Sequence, residues 1–156
     1  DVDLLYKELF EGPEWIMADE GKITNGQRYE LVKERVPERL HRTLKLVVEN
    51  WDMCMEPVEG ALGFYQFVKE SGYHTFVLSN ACNRFYNYFP KYYDLESFDG
   101  VVVSSDVKMI KPNPAIYEYI LKTYNFKVQF LYLKVQKLHF KIISIKQKAL
   151  LICCYQ

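Results

Sequence analysis

The sequence predicts an α/β protein: a Rossmann-like core of parallel strands, incomplete as given, with an N-terminal α-helical cap. Three observations lead there. The 156 residues are 49% apolar and 26% charged, which supplies one core of ordinary size, or a domain plus a small cap, and excludes disordered, collagen-like and low-complexity classes. The first 57 residues carry only helical periodicity. From Pro57 onward, helix-period and strand-like runs alternate, as parallel strands joined by right-handed crossovers require.

Element by element, Val2, Leu5, Tyr6 and Leu9 recur at helical spacing until Gly12-Pro13 breaks the pattern. Thr24 and Gln27 form a T-x-x-Q capping box, so a helix starts there. Pro37 suits a first helical position, and Leu40, Leu44, Val47, Val48 and Trp51 then mark one apolar face that reads as core packing. Ala61, Phe64, Tyr65 and Val68 line a helix ending at Ser71-Gly72. His74 to Leu78 is a buried strand, Phe85, Tyr88 and Phe89 mark a helix, and Gly100 to Ser105 is a second strand. A third helix opens at Asn113-Pro114 and carries Ile116, Tyr117, Ile120, Leu121 and Tyr124. The organisation expected is therefore a helical cap over 1–57, a partial α/β core over 58–126 and an aberrant basic tail over 127–156.

Net charge is zero, yet all 20 acidic residues lie at or before Glu118, so the first 118 residues carry −7 and the rest +7. The four cysteines, Cys54, Cys82, Cys153 and Cys154, include no C-x-x-C pair, and no histidine cluster has metal spacing. Neither a zinc site nor a disulfide framework is expected, and a reducing, cytoplasmic location fits best. No run approaches the ~20 apolar residues of a membrane span, and no signal peptide opens the chain. The first residue is Asp1 rather than Met, as in a processed or partial chain.

In doubly wound sheets ligands bind beyond the carboxyl ends of the strands. Two loops fall there. Ser79-Asn80-Ala81 follows the first strand, where a hydroxyl and the amides of a helix start would suit phosphate or simply cap the helix. No G-x-S-x-G elbow surrounds Ser79, which argues against a serine hydrolase. The second loop holds Lys111, whose direction Pro112 restrains, making it a phosphate partner or a solvated loop lysine; Lys108 fits the solvated role better.

Those loops resemble the second and third motifs of the haloacid dehalogenase-like hydrolases: V-L-S-N-A (Val77 to Ala81), then F-D-G-V-V-V-S-S-D-V-K-M-I-K-P-N-P-A-I-Y (Phe98 to Tyr117). The likeness covers residues 1–126, including P-E-W (Pro13 to Trp15) and D-E-G-K-I-T (Asp19 to Thr24) in a stretch similar to the family's cap. It implies a magnesium-dependent phosphoryl-transfer enzyme, most often a phosphatase on small phosphorylated metabolites, with dehalogenases and mutases among its members. Carried over, Ser79 would hydrogen-bond the phosphoryl group together with the Asn80 amide. Lys111 would neutralise charge, and Trp15 and Asp19 would shape the substrate pocket.

Two family motifs are not met. The first is a D-x-D at the end of an apolar strand, whereas Asp1-Val2-Asp3 runs straight into an amphipathic helix pattern and reads as a helix start. The fourth is an acidic pair after a further strand. Val128 to Leu133 is strand-like, but Lys134 follows it, and residues 119–156 contain no Asp or Glu. An ammonium cannot ligate magnesium, so no metal is expected on this chain and no catalytic turnover. Loss of a central strand is expected to leave sheet edges open.

The abrupt change after Phe126 points to out-of-frame or intron-derived translation, which transcript sequencing would decide. Taken at face value, Leu138, Phe140 and Ile142 alternate with His139 and Lys141 as a basic strand for an acidic partner. Nucleic acid is disfavoured, since the seven lysines of residues 119–156 are dispersed and no arginine accompanies them. The alternative to a hydrolase is a catalytically dead anion-binding or interaction module.

Overall fold

The computed structural model describes residues 1–125 with their side chains, and the backbone of Leu131–Leu133, Phe140–Ile145 and Ala149–Cys154. Four helices come first: α1 (Val2–Phe10), α2 (Pro13–Asp19), α3 (Asn25–Lys33) and α4 (His41–Asn50). The capping box forms as its spacing requires. Thr24 Oγ1 accepts from the Gln27 amide at 3.2 Å while Gln27 Oε1 accepts from the Thr24 amide at 2.9 Å. Asp1 precedes α1 as its N-cap residue, and its carboxylate pairs with Arg39.

Pro37 does not open α4. It precedes a 3-10 turn, Glu38–Leu40, and the α-helix begins only at His41. The predicted apolar stripe is nevertheless correct, because Leu40, Leu44 and Val48 bury against Leu5, Leu9 and Val32. Burial of each such side chain contributes roughly 1.5–3 kcal/mol, which exceeds what helix propensity alone supplies.

The alternating elements follow: α5 (Ala61–Glu70), β1 (His74–Ser79), α6 (Phe85–Tyr88), β2 (Gly100–Val103), α7 (Ser104–Val107) and α8 (Pro114–Thr123). Strand β1 pairs in parallel with β2, Phe76 opposite Gly100 and Ser79 opposite Val103. Successive residues of β1 serve opposite faces. Phe76 and Leu78 pack with Val102, Ile116 and Ile120 on one side. Val77 packs on the other with Tyr65, Phe85, Phe89, Phe98 and the helical residues Ala18 and Trp51. That second cluster joins the N-terminal helices to the sheet.

Three sequence expectations shift here. Ser104 and Ser105 leave the strand and begin α7. Phe64 is exposed rather than buried, since Tyr65 and Val68 already fill the inward face of α5. The helix after β1 is a single α-turn running into a 3-10 turn at Phe89–Lys91, because Pro90 removes a backbone donor there.

The expected open edge of β1 is covered. Strand β5 (Ala149–Cys154) pairs with it in parallel over six residues, from His74 opposite Ala149 to Ser79 opposite Cys154. Strands β4 (Phe140–Ile145) and β3 (Leu131–Leu133) extend the sheet antiparallel, giving the order β2-β1-β5-β4-β3. The sheet is thus parallel around β1 and mixed overall, since the short links between the last strands permit only antiparallel neighbours. The predicted strand Val128–Leu133 is met over Leu131–Leu133, and the alternating run is met from Phe140; residues 128–130, Lys134 and 138–139 lie outside the described residues.

Candidate functional site

Ser79 ends β1 at the carboxyl edge of the sheet and is 1% exposed. Its Oγ has no hydrogen-bond partner among the described residues. A hydroxyl buried in that way carries a desolvation cost that a ligand oxygen would relieve.

Lys111 is 3% exposed in the loop between α7 and α8, although lysine is seldom buried without compensation. Its Nζ donates to the Leu78 carbonyl at 2.8 Å, one residue before Ser79. Asn80 fixes the lysine's backbone from both sides: the Lys111 amide donates to Asn80 Oδ1 at 2.8 Å, and Asn80 Nδ2 donates to the Lys111 carbonyl at 3.0 Å. The Lys111-Pro112 peptide is cis. Asn80 therefore acts through its side chain as the clamp that brings the two loops together.

The amides beyond Asn80 are engaged by the protein itself. Ala81 N donates to Ser104 Oγ at 2.9 Å, and the Cys82 amide donates to the Asp19 carboxylate. No helix start stands behind Ser79, because α6 begins only at Phe85. The expected helix-dipole contribution at Ser79 is thus missing, and a buried cation, Lys111, stands beside it instead.

Asp19 arrives from the end of α2 and is 5% exposed. Burial pushes its carboxyl up to about 7, against the opposing pull of Arg28, the Cys82 amide and Lys111. Its main chain is anchored too: Ser104 Oγ donates to the Asp19 carbonyl at 2.5 Å, and Lys108 Nζ donates to the Gly21 carbonyl at 2.7 Å. Gly21 adopts φ +64, and a Cβ there would stand 2.3 Å from the Ser105 carbonyl oxygen. Only glycine fits this close approach. Lys108, read from sequence as a solvated lysine, is exposed but bridges α7 to the loop after α2.

Ser79, Asn80, Lys111 and Asp19 thus converge where the N-terminal helices meet the sheet. Trp15 stands one step away. It packs between Phe10 and Trp51, with ring centroids 4.9 and 5.0 Å apart, and touches the site through Arg28, whose guanidinium carbon lies 4.8 Å from the Trp15 ring centre. Sequence reasoning missed Arg28, which is 1% exposed. The available signal was its position four residues before Val32, on the face that α3 buries.

A magnesium ion does not suit this set of residues. Asp19 is the carboxylate at the cluster, it faces two cations, and burial favours its neutral form. Among the described residues no group of three or more His, Cys, Asp or Glu side chains is arranged to hold a metal. Asp1 and Asp3 belong to the start of α1, on the helical side of the molecule.

The fold and this seam define an α/β protein in which Ser79, Asn80 and Lys111 meet at the carboxyl end of the strands. The chain belongs to the haloacid dehalogenase-like hydrolase family, whose model matches residues 21–132. That span begins just after Asp19 and takes in both strand-end loops and the elements from α3 to α8. Curated proteins include no match to the chain. Among the described residues no helix is long and apolar enough to cross a membrane.

Proposed function

We propose that this chain binds the phosphoryl group of a small phosphorylated metabolite at Ser79 and Lys111, the phosphate-binding half of a phosphatase-type site. The observation that carries the reading is the buried Ser79 hydroxyl, without a hydrogen-bond partner among the described residues, beside a lysine whose ammonium is held against the Leu78 carbonyl. A dianion placed there would accept from the Ser79 hydroxyl and draw on the Lys111 charge in surroundings of low dielectric, where each interaction is strong. The same two groups suit the charge that spreads over oxygens during phosphoryl transfer.

Turnover needs a nucleophile and a metal site, and the residues at the cluster supply neither. Asp19 is a poor candidate for attack because burial favours its protonated form. The chain as given is therefore proposed to bind phosphate esters without hydrolysing them, in a reducing cytoplasmic setting that suits its free Cys54 and Cys82.

Thermal unfolding in phosphate against chloride at matched ionic strength tests the binding. Stabilisation of about 2.7 kcal/mol is expected at a hundredfold excess over Kd, reduced to about 1.4 kcal/mol in Ser79→Ala and absent in Lys111→Met. Stabilisation unchanged in both variants would place the anion elsewhere. Magnesium-stimulated turnover of p-nitrophenyl phosphate by the purified chain would overturn the non-catalytic part of the proposal.

A further inference from the structure

Helix α5 carries an apolar face that the fold does not use. Its inward side is taken by Tyr65 and Val68, while Phe64 and Phe67, one turn apart on another side, are 44% and 65% exposed and belong to no core cluster among the described residues. Gly63 shares their side, four residues before Phe67, and a Cβ added to it would meet nothing within 4 Å. Glycine within a helix is destabilising relative to alanine, and no close contact inside the chain requires it at this position. Close approach of a surface from outside would.

The rim of that face is acidic. Glu56, Glu59 and Glu70 are exposed and form no ion pair among the described residues, and the helix's lysine, Lys69, donates to the Ser97 carbonyl. Residues 119–156 supply the complement, with seven lysines, no acid and abundant Leu, Ile and Phe. Helix α5 leads into β1, and β5 of that basic segment pairs with β1, so the acidic face and the basic segment are neighbours in the fold. A two-fold axis close to α5 would set each against its counterpart on a second copy, and the chain's zero net charge opposes no such approach.

We propose that the face of α5 formed by Gly63, Phe64 and Phe67 is an interface between two copies of this chain, in which the lysine-rich residues 119–156 of one protomer lie against Glu59 and Glu70 of its partner. The aromatic rings supply the apolar contact at the centre, and the charges around it fix the orientation. An isologous arrangement repeats both contacts, so that each acidic rim meets one basic segment.

Sedimentation velocity of the full chain over a range of concentrations, at low and at high salt, tests this. A dimer is expected that dissociates on dilution and weakens as salt screens the charges. Phe67→Ser should raise its dissociation constant at least tenfold. Gly63→Gln should also weaken the dimer while raising the denaturation midpoint of the dissociated chain, because glutamine is the better helix former. Carbodiimide cross-linking of a mixture of isotopically labelled and unlabelled chain should join Glu59 or Glu70 of one copy to lysines within residues 119–156 of the other. A chain that stays monomeric at every concentration, leaving the face to a foreign partner, would overturn the proposal. So would a dimer unmoved by Phe67→Ser or by salt, or cross-links confined to single copies.

Discussion

Replacing Asp19 by asparagine removes the one group at the site whose titration falls near neutral pH. The Asp19 carboxyl rises from 3.8 to about 7 on folding, with burial as the main cause. The folded state therefore holds this proton where the unfolded chain has released it, so stability is present below the folded value and declines as pH rises toward it. Between pH 5 and pH 8 the loss works out at roughly 2.5 kcal/mol, a large share of the 5–15 kcal/mol typical of a domain. Asparagine keeps an oxygen to accept from the Cys82 amide and carries no charge, so Asp19→Asn should be flat over the same interval. Asp99 and Glu14 are lowered and Cys82 is raised from its already alkaline value, so their titrations lie outside that interval. Urea unfolding of both proteins at pH 5 and pH 8 reads the difference. Parallel pH dependence in the two would refute the assignment of a buried, proton-retaining carboxyl.

Gly21→Ala should cost about 2 kcal/mol or more through its positive φ and the close Ser105 carbonyl, with the loss visible as a lower denaturation midpoint. Leu44→Ala, at a fully buried position among α1, α3 and α4, should cost 2–5 kcal/mol, roughly in proportion to the cavity it leaves. Arg35→Ala strips the nearly buried Glu14 of a two-point ion pair, with Nη1 and Nη2 at 2.9 and 2.8 Å; the expected loss of about 1–3 kcal/mol should shrink as pH falls through the Glu14 value, which Arg35 holds below the ordinary carboxylate range.

Elements fixed by local chemistry were legible in the sequence. The Thr24 capping box, the β1 run and the Asn113-Pro114 helix start each depend on a few neighbouring residues, and Asn113 Oδ1 indeed accepts from the Ala115 amide at 3.0 Å. The strand's end at Val103 was not legible, because Ser104 leaves the sheet to bond with Asp19 and Ala81, partners 85 and 23 residues distant. Asn80 was placed correctly in the chain, but its side-chain clamp on Lys111 depends on a partner 31 residues away. Arg28 was hidden for a related reason: an arginine in the first turns of a capped helix looks like surface until Trp15 and Asp19 are brought over it. The pairing of β5 with β1 was equally beyond reach, since the tail's composition gave no reason to seat it beside Ser79.

The central claim is that Ser79 and Lys111 together bind a phosphoryl anion. Calorimetric titration of inorganic phosphate into the chain, into Ser79→Ala and into Lys111→Met tests it most directly. One site per chain is expected, weakened about tenfold by the loss of the hydroxyl, worth about 1.4 kcal/mol, and abolished by the loss of the buried charge. Equal affinity in all three proteins, or no binding by the unmodified chain, would contradict it.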